Sequence, residues 1–104
     1  MERTLDYRSM NYLDRFAINI YRRVEPVGDP SDDEMALYRI YAMLALAKGK
    51  AATLEDVHNA WSAWMSGLTP SHRSLIPFGE LDPSVQELDR PYLEAIHGLS
   101  DPGA

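Results

Sequence analysis

Apolar side chains recur at Leu13, Phe16, Ala17, Ile20, Tyr21 and Val24, the spacing that gathers one face of a helix with a period of about 3.6 residues. The pattern predicts a first helix that stops before Pro26, with Asp14, Arg15, Asn19, Arg22 and Arg23 on a solvated face. Pro26, Gly28 and Pro30 then mark a turn. Ser31 followed by Glu34 is a capping-box spacing, in which each side chain accepts a hydrogen bond from the other residue's free amide. A second helix is predicted from there to Gly49. Its apolar residues, Met35, Leu37, Tyr38, Ile40, Tyr41, Leu44, Ala45 and Leu46, cover more than one narrow stripe. Such breadth predicts a central helix packed on two sides, or packed on one side against a partner subunit.

Thr53 with Asp56 repeats the capping logic and opens a third helix, closed by Gly67. On it Leu54, Val57, Trp61, Trp64 and Met65 share one sector and His58 sits at the edge. From Gly67 to Leu81 the helical period disappears. Pro70, Pro77 and Gly79 alternate there with apolar Leu75, Ile76 and Phe78, predicting a packed irregular segment with room for short strands. Asp82 and Pro83 form a helix start, and Val85 and Leu88 open an apolar face. Pro91 interrupts it, and Asp89 can recap the chain so that Tyr92, Ala95, Ile96 and Leu99 continue that face. The tail, Ser100 to Ala104, is expected to fray. The expected fold is mainly α: one compact domain over residues 1–104, a bundle of four to five helices in which an N-terminal helical pair, 1–50, packs on the region 54–99.

Composition narrows the function. A chain of 104 residues with 45% hydrophobic content suits one core, not two. Sixteen acidic against ten basic side chains leave a formal charge of −6, the wrong sign for gripping a nucleic-acid polymer. One or two local Arg or His side chains can still hold a small anion. The absence of Cys removes disulfides, thiolate zinc sites and Cys nucleophiles together, and points to a reducing, cytoplasmic compartment. Glu2, Arg3, Asp6 and Arg8 stand where a secretory leader would be apolar, and no run approaches the ~18 apolar residues of a membrane span.

Catalytic groupings do not emerge. His58, His72 and His97 lack a spacing that puts two metal ligands on one face, so no metal is expected. Ser71 beside His72 has no nucleophile-elbow context, and no glycine-rich phosphate loop occurs. Neither an enzyme nor a cofactor is expected. More informative are Trp61 and Trp64 on one helix, since an exposed indole offers a flat surface for stacking a planar base. Helical spacing alone assigns Trp64 to the core, whereas Trp61 lies one turn from the hydrogen-bonding His58. His72 and Arg73 sit in the irregular segment, where an Arg fork can grip phosphate. The plainer alternative has His72 capping a backbone carbonyl and Arg73 solvated.

Three blocks taken together resemble the ryanodine receptor repeat (RyR) domain family, in its standalone bacterial or phage form. His58-Asn59-Ala60-Trp61 is similar to the family's His-x-x-Trp helix. The run from His72 to Leu81 is similar to its His-x-x-Leu-x-Pro-aromatic-x-x-Leu segment, and Asp89-Arg90 to the Asp-Arg pair before its closing helix, where Leu93, Ala95 and Ile96 fit the apolar positions. The resemblance covers Leu54 to Leu99. It implies a compact, mainly helical module without catalysis, associated with nucleotide binding, in which Trp61 would stack on the base and His72 would be a site residue. Two positions depart from the family: Met65 stands where many members have Arg, and Ser66 to Ser71 is shorter than the family's link. Arg73, Arg22 or Arg23 would then supply the phosphate contact.

The expected site therefore comprises Trp61, His58, His72 and Arg73, with Trp64 and Phe78 beside them. The expected function is binding of a nucleotide or nucleotide-derived signal, extending to a phage sponge that sequesters a cyclic or ADP-ribose-type immune messenger in a bacterial or phage-infected cell. The alternative is a protein interaction or assembly module, with Tyr38 and Tyr41 packing on a copy of the chain or on a host protein.

Overall fold

The computed structural model describes residues 10–99. The charged start before Met10 and the tail expected to fray lie outside the described residues. Four helices of ten residues or more dominate, and no strand occurs among the described residues. The first, α1, spans Tyr12–Val24 and starts one residue earlier than periodicity predicts, because the Asn11 side chain accepts the Asp14 amide at 2.8 Å. Its buried face holds Ala17, Ile18, Ile20 and Tyr21. Ile18, absent from the predicted stripe, widens that face. Asp14 is not simply solvated either, since it ties α1 to Arg39 of the next helix at 2.7 Å.

Helix α2, Asp32–Lys48, carries both halves of the capping box: the Glu34 amide donates to Ser31 Oγ at 3.1 Å, and the Ser31 amide donates to Glu34 Oε1 at 2.9 Å. It ends where Gly49 adopts a φ of +54°, a conformation that L side chains resist. The breadth of its apolar surface has the first of the two predicted causes. It packs against α1, against α3 (Leu54–Leu68) and against α5 (Arg90–Leu99), so it is the central element. Lys48 reinforces one of these junctions by pairing with Asp56 of α3 at 3.1 Å.

The Thr53–Asp56 capping box that opens α3 is complete, the Asp carboxylate reaching the Thr53 amide at 3.0 Å. Gly67 does not close the helix, which runs on to Leu68 with Thr69 as its cap. Beyond it, residues 69–77 form tight turns, followed by single 3₁₀ turns at Phe78–Glu80 and Glu87–Asp89 around the four-residue α4, Pro83–Gln86. Leu88 falls in the second of these 3₁₀ turns, which takes about three residues per turn, not 3.6, and is left 68% exposed at the rim of the apolar face predicted for it. One hydrophobic cluster draws on α1, α2, α3 and α5. No described helix is long and apolar enough to cross a membrane.

Candidate functional site

Among the described residues His58 is the one buried polar or charged side chain, 3% exposed, and it organises the candidate site. Sequence spacing puts it at the edge of the α3 face; in the fold it is enclosed. The cause lies outside the helix: its Nε2 donates to the Ile76 carbonyl at 2.7 Å, so the turn segment folds over the ring and satisfies it. Trp61, one turn on, stacks against that ring at 5.8 Å and 23°, and Phe78 packs on it at 6.2 Å.

The turn segment is itself pinned by His72, whose amide donates to the Thr69 carbonyl at 3.0 Å and whose carbonyl accepts the Leu75 amide at 3.1 Å. His72 Nδ1 accepts the Ser74 amide at 3.0 Å, which leaves the ring proton of the neutral form on Nε2. The plainer alternative for His72 is thus half correct. The ring serves a backbone group, an amide and not a carbonyl, and it also meets the Trp61 indole edge-on at 5.0 Å.

Between these side chains and α2 lies a cavity of about 560 Å³, within the range of roughly 300–1,000 Å³ usual for small-molecule sites. From α3 and the turn it is lined by His58, Trp61, Trp64, His72 and Ser74. The opposite wall, which sequence spacing does not reveal, comes from Leu37, Tyr38 and Tyr41 of α2 and from Tyr92 of α5. Tyr38 meets Tyr41 edge-on at 5.5 Å, and Tyr41 meets Tyr92 at 5.6 Å, so the wall is one connected ring cluster. Leu81, Val85 and Leu88 complete the apolar lining.

Glu34 and Asp89 are the acidic residues of the lining, and it contains no Lys or Arg. Burial pushes the Asp89 carboxyl above the usual carboxylate range, an effect that nearby His58 offsets in part. Burial likewise raises the Tyr41 hydroxyl, with Asp89 adding to the shift, and raises Tyr38 and Tyr92.

Of the six expected site residues, the fold brings together Trp61, His58, His72 and Trp64. Phe78 backs His58 from outside the cavity, and Arg73, between two lining residues, is exposed and lines nothing. Arg22 and Arg23 do not replace it. Arg22 pairs with Asp29 at 3.4 Å, and the Arg23 guanidinium lies over Gly98, where an added Cβ would sit 2.7 Å from it. Tyr38 and Tyr41, the motive for an assembly surface, are 3% and 1% exposed inside their own chain. His97 is engaged away from the cavity, its Nε2 donating to the Ala52 carbonyl at 2.8 Å. No group of three metal-binding side chains occurs among the described residues.

Fold and cavity together define a small all-helical domain with an aromatic cavity beside its central helix. The chain belongs to the family described as Domain of unknown function (DUF7701), whose model matches residues 11–101. No curated protein matches the chain, and no solved structure does.

Proposed function

We propose that the domain binds a small nucleotide-derived ligand, base first, with the planar ring stacked on Trp61 inside the cavity. The observation that carries this reading is the cavity itself: about 560 Å³, walled by two indoles and three phenol rings, with polar groups converging from His58, His72 and Asp89. The resemblance to ryanodine receptor repeats belongs to the same proposal and supplies the link to nucleotides. The lining has no cation for a phosphate, so a phosphate-bearing ligand leaves its anionic end outside, on the side of the His72–Ser74 turn where Arg73 is exposed. The proposed role is binding without chemistry. In a bacterial or phage-infected cytoplasm this would suffice for a sponge that lowers the free concentration of a cyclic or ADP-ribose-type messenger.

Calorimetric titration against cyclic nucleotides, ADP-ribose derivatives and nucleosides tests it. Micromolar binding that Trp61→Ala weakens by tenfold or more is expected. Absence of binding across the panel, or binding indifferent to Trp61→Ala, would rule it out.

A further inference from the structure

The one carboxylate that the cavity leaves uncommitted is Asp89. Glu34, the other acid of the lining, spends an oxygen on the Ser31 amide, whereas Asp89 accepts no hydrogen bond and enters no ion pair among the described residues. It lines the cavity half-buried, close to Tyr41, Tyr92 and His58. An ionised carboxylate only accepts hydrogen bonds, so a partner must bring N–H or O–H donors. On this basis we infer that Asp89 selects the ligand by its donor edge, making the cavity specific for amino-substituted heterocycles such as adenine or cytosine over their oxo counterparts.

The geometry gives the inference its direction. A base stacked on Trp61 occupies the space between α3 and the α2–α5 wall, and Asp89 lies at the end of that wall, immediately before α5. An exocyclic amino group there gives the carboxylate the donor that no side chain of the lining supplies, and replaces the water that a bound base displaces from it. A carbonyl oxygen in the same place sets two acceptors against each other and shuts the acid off from water without a partner. The Tyr hydroxyls and the His72 Nε2–H of the lining can donate to the ring nitrogens, so the acceptor side of such a base is also met. This inference rests on the base-first reading of the cavity and adds the ligand class.

The test compares adenosine with inosine, and cytidine with uridine, by quenching of intrinsic fluorescence and by calorimetry at mildly alkaline pH, where the acid is ionised. Nucleosides isolate the base edge from phosphate. The chain has two tryptophans, Trp61 and Trp64, and both line the cavity, so tryptophan emission, excited selectively over tyrosine, reports this site. Adenosine and cytidine are expected to bind at least about tenfold more tightly than their oxo partners, the loss typical of a missing hydrogen bond to a charged group. Asp89→Asn, whose side-chain amide can donate to a carbonyl, is expected to bring each ratio to within about threefold. Equal affinities, a reversed preference, or an unchanged ratio in Asp89→Asn overturn the inference while leaving base stacking intact. Failure of all four nucleosides to bind removes the base-first reading and the inference with it. Should Asp89→Asn not fold, the two ratios on the unmodified protein decide alone.

Discussion

Asp89 holds its carboxyl among Tyr41, Tyr92 and His58, and burial raises it above its ordinary value of 3.8. The folded state therefore binds the proton more tightly than the unfolded chain, so stability is full below 3.8 and declines as pH rises through the folded-state value. At neutral pH the ionised group is a cost that the fold carries. Asp89→Asn is accordingly expected to raise the melting temperature by a few degrees at neutral pH, with the gain vanishing in acid below the Asp range. Thermal melts of both proteins across that range check it; a variant that melts lower at neutral pH would show that the carboxylate is instead a structural partner. His58 is predicted to behave in the opposite way. His58→Ala removes a buried ring packed on Trp61 and Phe78 and leaves the Ile76 carbonyl without its donor, for an expected loss of about 2–4 kcal/mol in urea denaturation. That difference makes Asp89, not His58, the position at which ligand recognition can be separated from folding. His58 was visible in the sequence through its place beside Trp61, but its burial was not, because the Ile76 carbonyl that satisfies it lies 18 residues away.

Local signals account for the elements with more success than for the site they build. Ser31–Glu34 and Thr53–Asp56 announce α2 and α3 in the sequence, and both boxes close in the fold. Each cap satisfies amides of a different helix and shares no partner with the other. Ser31→Ala and Thr53→Ala should therefore each cost about 1 kcal/mol, and the double variant should lose the sum within roughly 0.5 kcal/mol. A double variant no weaker than either single one, measured by chemical denaturation, would mean that the two helix starts do not act independently. Periodicity fails where the backbone leaves the 3.6-residue helix. Leu88 follows Val85 at a helical interval, yet the 3₁₀ turn Glu87–Asp89 exposes it. Gly67, a frequent helix terminator, sits within α3 because Thr69 supplies the cap two residues later. Arg73 was read with His72 because they are neighbours in sequence, but the tight turn that aims His72 and Ser74 at the cavity leaves Arg73 in solvent. Tyr38, Tyr41 and Tyr92 escaped as site residues for a further reason. They belong to elements distant in sequence from Trp61, and only packing places them opposite it.

At the scale of the whole molecule, the cavity joins the two parts that sequence reasoning separates: α2 from the N-terminal pair, and α3 and α5 from the region 54–99. Its tyrosine wall is also part of the core, so the state of these phenols and the integrity of the fold are coupled. Burial, followed in Tyr38 by the neighbouring Tyr92 and in Tyr41 by Asp89, holds both hydroxyls well above the ordinary tyrosine value of 10.0. For such groups the unfolded chain loses its protons first as pH rises. Their contribution to stability is complete below 10.0 and disappears progressively above it, on a chain already carrying a formal charge of −6. Alkaline titration should consequently couple ionisation of the wall tyrosines to unfolding. Tyr38 and Tyr41 should become tyrosinate only in the cooperative step in which helicity is lost. A ligand stacked in the cavity binds the folded state alone, so it should move that step to higher pH. If Tyr38 and Tyr41 instead ionised reversibly with helicity retained, the aromatic wall would be open to solvent on the timescale of titration, and a stable stacking site beside Trp61 could not be built on it.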